Sequence, residues 1–195
     1  MTLILASTSK IRRQLLTNAG VIFDVWPPDV DEAGIKIRHR ACSAEDLAMK
    51  LAEEKSLSIN APDSGDVVIG ADQVLALDEK IYDKPPNVAI ARQQLLELRG
   101  KTHRLISAIC CSKGRKVIWR HTGIATLKVR NFSDKFLDQY LDRTHRDITM
   151  SVGGYKLEER GIQLFDTIEG DYFTILGLPL LPLLEFLRRQ KNLES

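Results

Sequence analysis

The run Val67-Val68-Ile69-Gly70-Ala71-Asp72-Gln73-Val74-Leu75 limits the fold of this chain more than any other stretch. It is the most apolar segment and reads as a buried β-strand, yet it carries a carboxylate in its middle. Burying an unpaired carboxylate is costly or drives it to the neutral form. Asp72 must therefore face a crevice, a cation or a metal, or be held in a structural ion pair. Gly70 shares its face by period-two alternation and is expected to leave room beside it for a ligand.

Around this strand, apolar strands alternate with capped helices, the pattern of an α/β protein. Leu3–Ala6 reads as a strand leading into a helix over 9–18, with Gly20 as its stop. A short strand over 23–26 runs into the turn-forming Pro27-Pro28-Asp29, and a polar segment over 31–40 follows. Ser43-Ala44-Glu45-Asp46 opens the next helix as a capping box with Asp in place of Glu or Gln. After the apolar strand comes a helix over 87–99, with Val88, Ala91, Leu95 and Leu98 on one stripe and Gly100 as stop. Strands over 102–111 and 117–129 form a hairpin around Gly114-Arg115. A helix from Ser133 to Leu141, a Gly153-Gly154 bend, a strand over 162–168, a turn at Glu169-Gly170-Asp171 and a helix from Pro179 complete the chain.

The length of 195 residues suits one domain, alone or split into two lobes. A net charge of +2 argues for neither nucleic acid polymer nor membrane as partner, and no apolar run reaches membrane-spanning length. Cys42, Cys110 and Cys111 have no paired spacing, which together with the lack of a secretion signal places the protein in the cytoplasm. Cys110 and Cys111, adjacent in a strand, should point to opposite faces as small core residues. The histidines, His39, His103, His121 and His145, show no zinc-ligand spacing. Gly100-Lys101-Thr102 resembles half a phosphate loop, but it ends a helix instead of opening one.

Chemistry gathers at the first strand-to-helix junction, Ser7-Thr8-Ser9, where the helix begins with Lys10, Arg12 and Arg13. A helix N-terminus already carries positive partial charge, so cations there imply an anion nearby. Ser7 and Ser9 can donate to a phosphate and Arg12 can grip it with two N–H groups; the alternative is that the serines only cap the helix. Lys55 continues the apolar stripe Ala44, Leu47, Ala48, Leu51, so its ammonium emerges at the core edge, as a binding group or as a snorkelling lysine. Lys84 precedes a rigid proline, and Glu32 ends the acidic run Asp29-Val30-Asp31-Glu32, where carboxylates can be solvated or hold Mg²⁺.

The ordered set Leu5-Ala6-Ser7-Thr8-Ser9 with Arg12, Asp31-Glu32, Glu54-Lys55, Gly70-Ala71-Asp72-Gln73-Val74, Lys84-Pro85, Leu95/Leu98/Gly100/His103 and Gly177-Leu178-Pro179-Leu180 resembles the Maf family of nucleoside triphosphate pyrophosphatases. The resemblance covers nearly the whole chain, 1–195 being one Maf-like domain. It implies an α/β fold with a mixed sheet and two lobes around a deep cleft, similar to inosine triphosphate pyrophosphatases. It further implies divalent-metal-dependent hydrolysis, with Mg²⁺ or Mn²⁺, of a nucleoside triphosphate to monophosphate and pyrophosphate. On this resemblance Ser7, Ser9, Arg12, Lys55 and Lys84 handle phosphate, Asp72 accepts the proton of the attacking water, and Glu32 and Asp72 meet the metal.

Gln73 after the acid, together with Lys156-Leu157-Glu158, resembles the branch acting on 7-methyl-GTP. Glu158 suits the donor edge of guanine and the cationic methylated ring. Ile11 stands where that branch carries an aromatic, so base stacking there is lost. Ile11, Gln73 and Glu158 are thus the base-specificity positions. The alternatives are a dTTP/UTP or broad-specificity pyrophosphatase, and a non-catalytic nucleotide-binding regulator of septum formation. Homodimers are common in the family. In an ideal strand Gln73 faces away from Asp72, so both reach one cleft only if the strand bends or ends there.

Overall fold

Strand β1, Leu3–Ala6, is buried along its whole length, because it runs parallel between β2 (Asp24–Trp26) and β3 (Val67–Leu77) with helices over both faces. The computed structural model describes residues 2–61 and 65–190, except the side chains of His145 and the two residues after it, so the expectation for His145 lies outside the described residues. Helix α1 (Lys10–Asn18) links β1 to β2, and α2 (Glu32–Arg38) and α3 (Ala44–Ser58) link β2 to β3. Then follow β4 (Lys80–Tyr82), α4 (Val88–Leu98), β5 (Thr102–Lys113), β6 (Lys116–Val129) and α5 (Asp134–Thr144). Short 3₁₀ turns lead to β7 (Phe165–Glu169), α6 (Tyr172–Ile175) and α7 (Leu180–Arg189). The seven-stranded sheet has the order β2-β1-β3-β5-β6-β7, with β4 paired to β3. It is mixed: β1 pairs parallel with β2 and β3, whereas β3–β4 and β6–β7 are antiparallel.

By contact density the chain divides into two units, Met1–Gln73 with Ile106–Gly123 and Asp171–Ser195, and Val74–Leu105 with Ile124–Gly170. In the first unit the odd residues of the parallel strands, Leu3, Leu5, Val67, Ile69 and Ala71, pack with Leu15 and Leu16 of α1 and Leu183, Phe186 and Leu187 of α7. The even residues Ile4, Ala6 and Val68 pack with Ile59 behind α3. Cys111 joins the first cluster while Cys110 accepts a hydrogen bond from Ser56 of α3, so the adjacent cysteines do take opposite faces.

Gly70 corrects one sequence expectation. A Cβ placed there would lie 2.1 Å from the Ala52 carbonyl oxygen and 2.5 Å from the Ser56 nitrogen. The space beside the strand is therefore filled by the α3 backbone, not held open for a ligand.

The helix caps fall where the sequence puts them: Ser9, Ser43, Asn87 and Ser133 accept from the backbone N–H three residues on. The segment over 31–40 is not without structure. Asp31 caps α2 through the Gly34 N–H at 2.9 Å, Glu32 sits in the first turn and Lys36 and Arg38 in the last, matching the helix dipole. The strand expected from Ile162 begins only at Phe165, because Arg160–Leu164 forms a 3₁₀ turn in which Gly161 packs against the Lys156 carbonyl. No helix among the described residues is long and apolar enough to cross a membrane.

The second unit buries His103 of β5 against Tyr155 and Phe165. Its Nε2 lies 2.6 Å from the Tyr155 hydroxyl, and Nδ1 has no hydrogen-bond partner.

Two predictions follow from this packing. Gly70→Ala forces α3 off β3, and overpacking of that kind costs about 1–3 kcal/mol or more, read as a lower denaturation midpoint at unchanged slope. Burial lowers the His103 pKa from 6.5 to about 4. Between those values the unfolded chain binds a proton that the folded chain refuses. Stability therefore falls as pH drops through this window, by roughly 3 kcal/mol in all. Denaturation from neutral pH down to about 4 checks this, and His103→Gln should flatten the slope.

Candidate functional site

Parallel pairing aligns Ala6 with Gly70, so the chain leaves β1 at Ser7 just where β3 presents Asp72 two residues further along. β1 and β3 are neighbours whose following or preceding helices, α1 and α3, cover opposite faces. Such a switch point, at the carboxyl ends of parallel strands, is where open α/β sheets leave a crevice for ligands. Eight of the sequence-selected residues lie in the first unit: Ser7, Ser9, Ile11, Arg12, Glu32, Lys55, Asp72 and Gln73; Lys84 and Glu158 lie in the second.

Asp72 is 8% exposed and is held in an ion pair, the last of the outcomes its sequence allows. The partner is Lys55, whose Nζ lies 2.6 Å from Asp72 Oδ1 and 2.7 Å from Glu32 Oε1. Lys55 is 7% exposed, so it is not a snorkelling lysine: its ammonium stays inside, between two carboxylates. Close packing of α3 at Gly70 sets this geometry, since Lys55 lies between Ala52 and Ser56, the two residues whose backbone meets that glycine. Glu32, on the first turn of α2, supplies the more exposed carboxylate.

Arg12 is buried too. Its Nε donates to the Gly177 carbonyl at 2.8 Å and its Nη1 to the Ala71 carbonyl at 2.8 Å. Burial lowers its pKa, and the carboxylates of Asp72 and Glu32 act against that shift. The guanidinium is thus anchored to the backbone on one side, with its remaining N–H groups as the donors a phosphate could engage. Lys10 and Arg13 are exposed.

Ser7 Oγ accepts from the Ser9 N–H at 3.2 Å, and Ser9 Oγ accepts from the Arg12 N–H at 3.4 Å. Ser9 caps α1 and Ser7 holds the cap residue, each as an acceptor, which leaves the hydroxyl protons as donors for a ligand. Gln73 points to the face opposite Asp72, as strict alternation along β3 requires. Its Nε2 donates to Ser107 Oγ at 3.0 Å and to the carbonyls of Thr174 and Ile175 at 3.1 and 2.9 Å. Ile11 is half-buried and packs against the α1-side core. Lys84, after β4, and Glu158, in the turn after Leu157, are both exposed.

Sequence reading missed Ser107, Thr174 and Gly177 as neighbours of this site, although Gly177 lies within one of the quoted motifs. Among the described residues no three His, Cys, Asp or Glu side chains converge on a metal position. Glu32 and Asp72 together offer hard oxygen donors, which suit a divalent cation that takes its other ligands from water and a phosphate.

A family model described as Maf-like protein matches residues 2–190. A protein of Brucella abortus biovar 1 (strain 9-941) named 7-methyl-GTP pyrophosphatase is 43% identical, over 99% of this chain and 98% of its own length. A protein of Caulobacter vibrioides (strain ATCC 19089 / CIP 103742 / CB 15) named nucleoside triphosphate pyrophosphatase is 48% identical, over 94% of this chain and 93% of its own length. Among solved structures, that of a nucleoside-triphosphatase / dITP/XTP pyrophosphatase from Mycobacterium abscessus ATCC 19977 / DSM 44196 is similar at a TM-score of 0.38 and 17% identity, over 68% of this chain and 76% of that one.

The buried pair makes a prediction independent of any ligand. Lys55→Met leaves Asp72 buried without its cation and should lower the unfolding free energy by roughly 3 kcal/mol. Adding Asp72→Asn to that variant should restore part of the loss, measured by chemical denaturation as a double-mutant cycle.

Proposed function

Since the chain belongs to the Maf family, we propose that it hydrolyses nucleoside triphosphates to the monophosphate and pyrophosphate. The observation that carries this reading is the Lys55 ammonium held between Asp72 and Glu32, beside Arg12 at the capped start of α1. Attack on a phosphoanhydride needs charge neutralisation and a group that orients or deprotonates water. Arg12 and Lys55 supply positive charge, with Ser7 and Ser9 hydroxyls as additional donors. Asp72 takes the proton of the attacking water. Glu32 and Asp72 would hold a divalent cation, Mg²⁺ or Mn²⁺, which supplies Lewis-acid polarisation of the phosphate oxygens when bound.

Lys84 adds a further cation for phosphate, and Glu158 reads the base through the donor edge of guanine. The name of the Brucella protein, 7-methyl-GTP pyrophosphatase, supports this choice of base, whereas that of the Caulobacter protein, nucleoside triphosphate pyrophosphatase, supports the reaction alone. We therefore take 7-methyl-GTP, or another non-standard nucleotide, as the substrate.

The test is release of pyrophosphate from 7-methyl-GTP, GTP, dTTP and UTP with Mg²⁺ or Mn²⁺. The wild-type protein should release pyrophosphate and favour 7-methyl-GTP. Asp72→Asn should lower turnover by about 10²-fold or more while nucleotide still binds. Release of orthophosphate instead, or undiminished turnover in Asp72→Asn, overturns the reaction. A strong preference for UTP overturns only the choice of base.

A further inference from the structure

Gln73 follows the proposed proton acceptor directly, and its position in the sequence suggests a reader of the nucleotide base. Its contacts indicate another use. Two amide hydrogens meet three acceptors, Ser107 Oγ and the carbonyls of Thr174 and Ile175, so the donor end of the side chain is fully engaged.

Those carbonyls belong to α6, a helix of four residues that is too short to hold itself. It is tied at its start by Asp171, which accepts from the Thr174 N–H at 2.7 Å. At its end, Thr174 O accepts from Ser107 Oγ at 2.7 Å and from the Gly177 N–H at 3.0 Å, as well as from Gln73. Gly177 then turns back with φ of +92°, and its carbonyl accepts a hydrogen bond from Arg12 Nε at 2.8 Å. A Cβ at this glycine would lie 3.4 Å from Arg12 Nη2. The chain of contacts is continuous: Gln73 holds the end of α6, α6 places Gly177, and Gly177 holds Arg12.

We propose that Gln73 is a positioning residue for Arg12 and does not read the base. The inference deepens the proposed function, because it gives Arg12 its phosphate-binding role. On one strand, Asp72 would serve the reaction directly from one face. Gln73, from the other face, would fix the cation that serves it.

The experiment is a double-mutant cycle with Gln73→Met and Arg12→Lys, read by calorimetric binding of inorganic tripolyphosphate and by kcat/KM on 7-methyl-GTP and UTP. Methionine keeps the length of the side chain but donates nothing. Gln73→Met alone should weaken tripolyphosphate binding and kcat/KM by about tenfold or more, with the ratio between the two nucleotides unchanged. In the Arg12→Lys background the same change should cost less than about threefold, because the residue it positions is already altered. Ser107→Ala, which removes one donor to Thr174 O and one of the three acceptors of Gln73, should show the same non-additivity with a smaller effect and serves where Gln73→Met does not fold. Independent, multiplying losses overturn the inference, as does unweakened binding. A tenfold or larger change in nucleotide ratio also overturns it, by making Gln73 a base reader. If the wild-type protein releases no pyrophosphate from any nucleotide, the proposed function fails while the binding cycle still decides the inference.

Discussion

The ion pair between Lys55 and Asp72 is the constraint on which the rest of the first unit depends. Removing two charges from water costs several kcal/mol per ion, and their attraction repays this only when geometry and further partners are favourable. Here the geometry is set by backbone packing: with no side chain at Gly70, α3 closes onto β3 and brings Lys55 to Asp72 at 2.6 Å. Glu32 at 2.7 Å adds a second carboxylate that is itself half-exposed. A hydrophobic pair of similar volume could fill this place without desolvation, so the retention of charge is the part that packing does not explain. It is explained if the site must present charge to a ligand.

Alternation along β3 divides labour between neighbouring residues. Val68, Gly70 and Asp72 face α3; Val67, Ile69, Ala71 and Gln73 face α1, α6 and α7. The strand runs unbroken through Leu77, so no bend brings Asp72 and Gln73 to one side. The backbone between them is used as well, since the Ala71 carbonyl accepts from Arg12. Three successive residues therefore contribute a carbonyl, a carboxylate and an amide, each to a different partner.

Much of this was legible in the sequence because it is local. Ser9, Ser43 and Asn87 announce helices by the hydrogen bonds their side chains must make, and Gly20 and Gly100, with φ of +72° and +71°, end them. The burial of Asp72 in an apolar strand requires a cation beside it, and Lys55 is there. What the sequence did not disclose is long-range. That Gly70 accommodates a helix and not a ligand depends on where residues 52 and 56 come to lie. That Arg12 is anchored at Gly177 depends on a contact 165 residues away. Helix α2 was obscured for a different reason: its one buried apolar residue, Ile35, gives no periodic stripe, although the Asp31 cap and the charges at its two ends are the signals that could have found it.

The electrostatics of the site also bear on what must accompany a substrate. Arg12 and Lys55 face Glu32 and Asp72, two cations against two carboxylates, and the pairing leaves little excess positive charge. The helix start adds a partial positive charge, and Lys10 and Arg13 are exposed, where solvent screens them. A triphosphate entering so balanced a site brings more negative charge than the free N–H groups of Arg12 can offset, and Lys55 cannot add its charge without giving up the carboxylates it already holds. Either Lys55 turns from Asp72 to phosphate, leaving a buried carboxylate uncompensated, or the anion arrives with a countercharge of its own. The second course leaves the Lys55–Asp72 pair in place. On this ground the two carboxylates around Lys55 fit a reaction in which a divalent cation comes with the nucleotide.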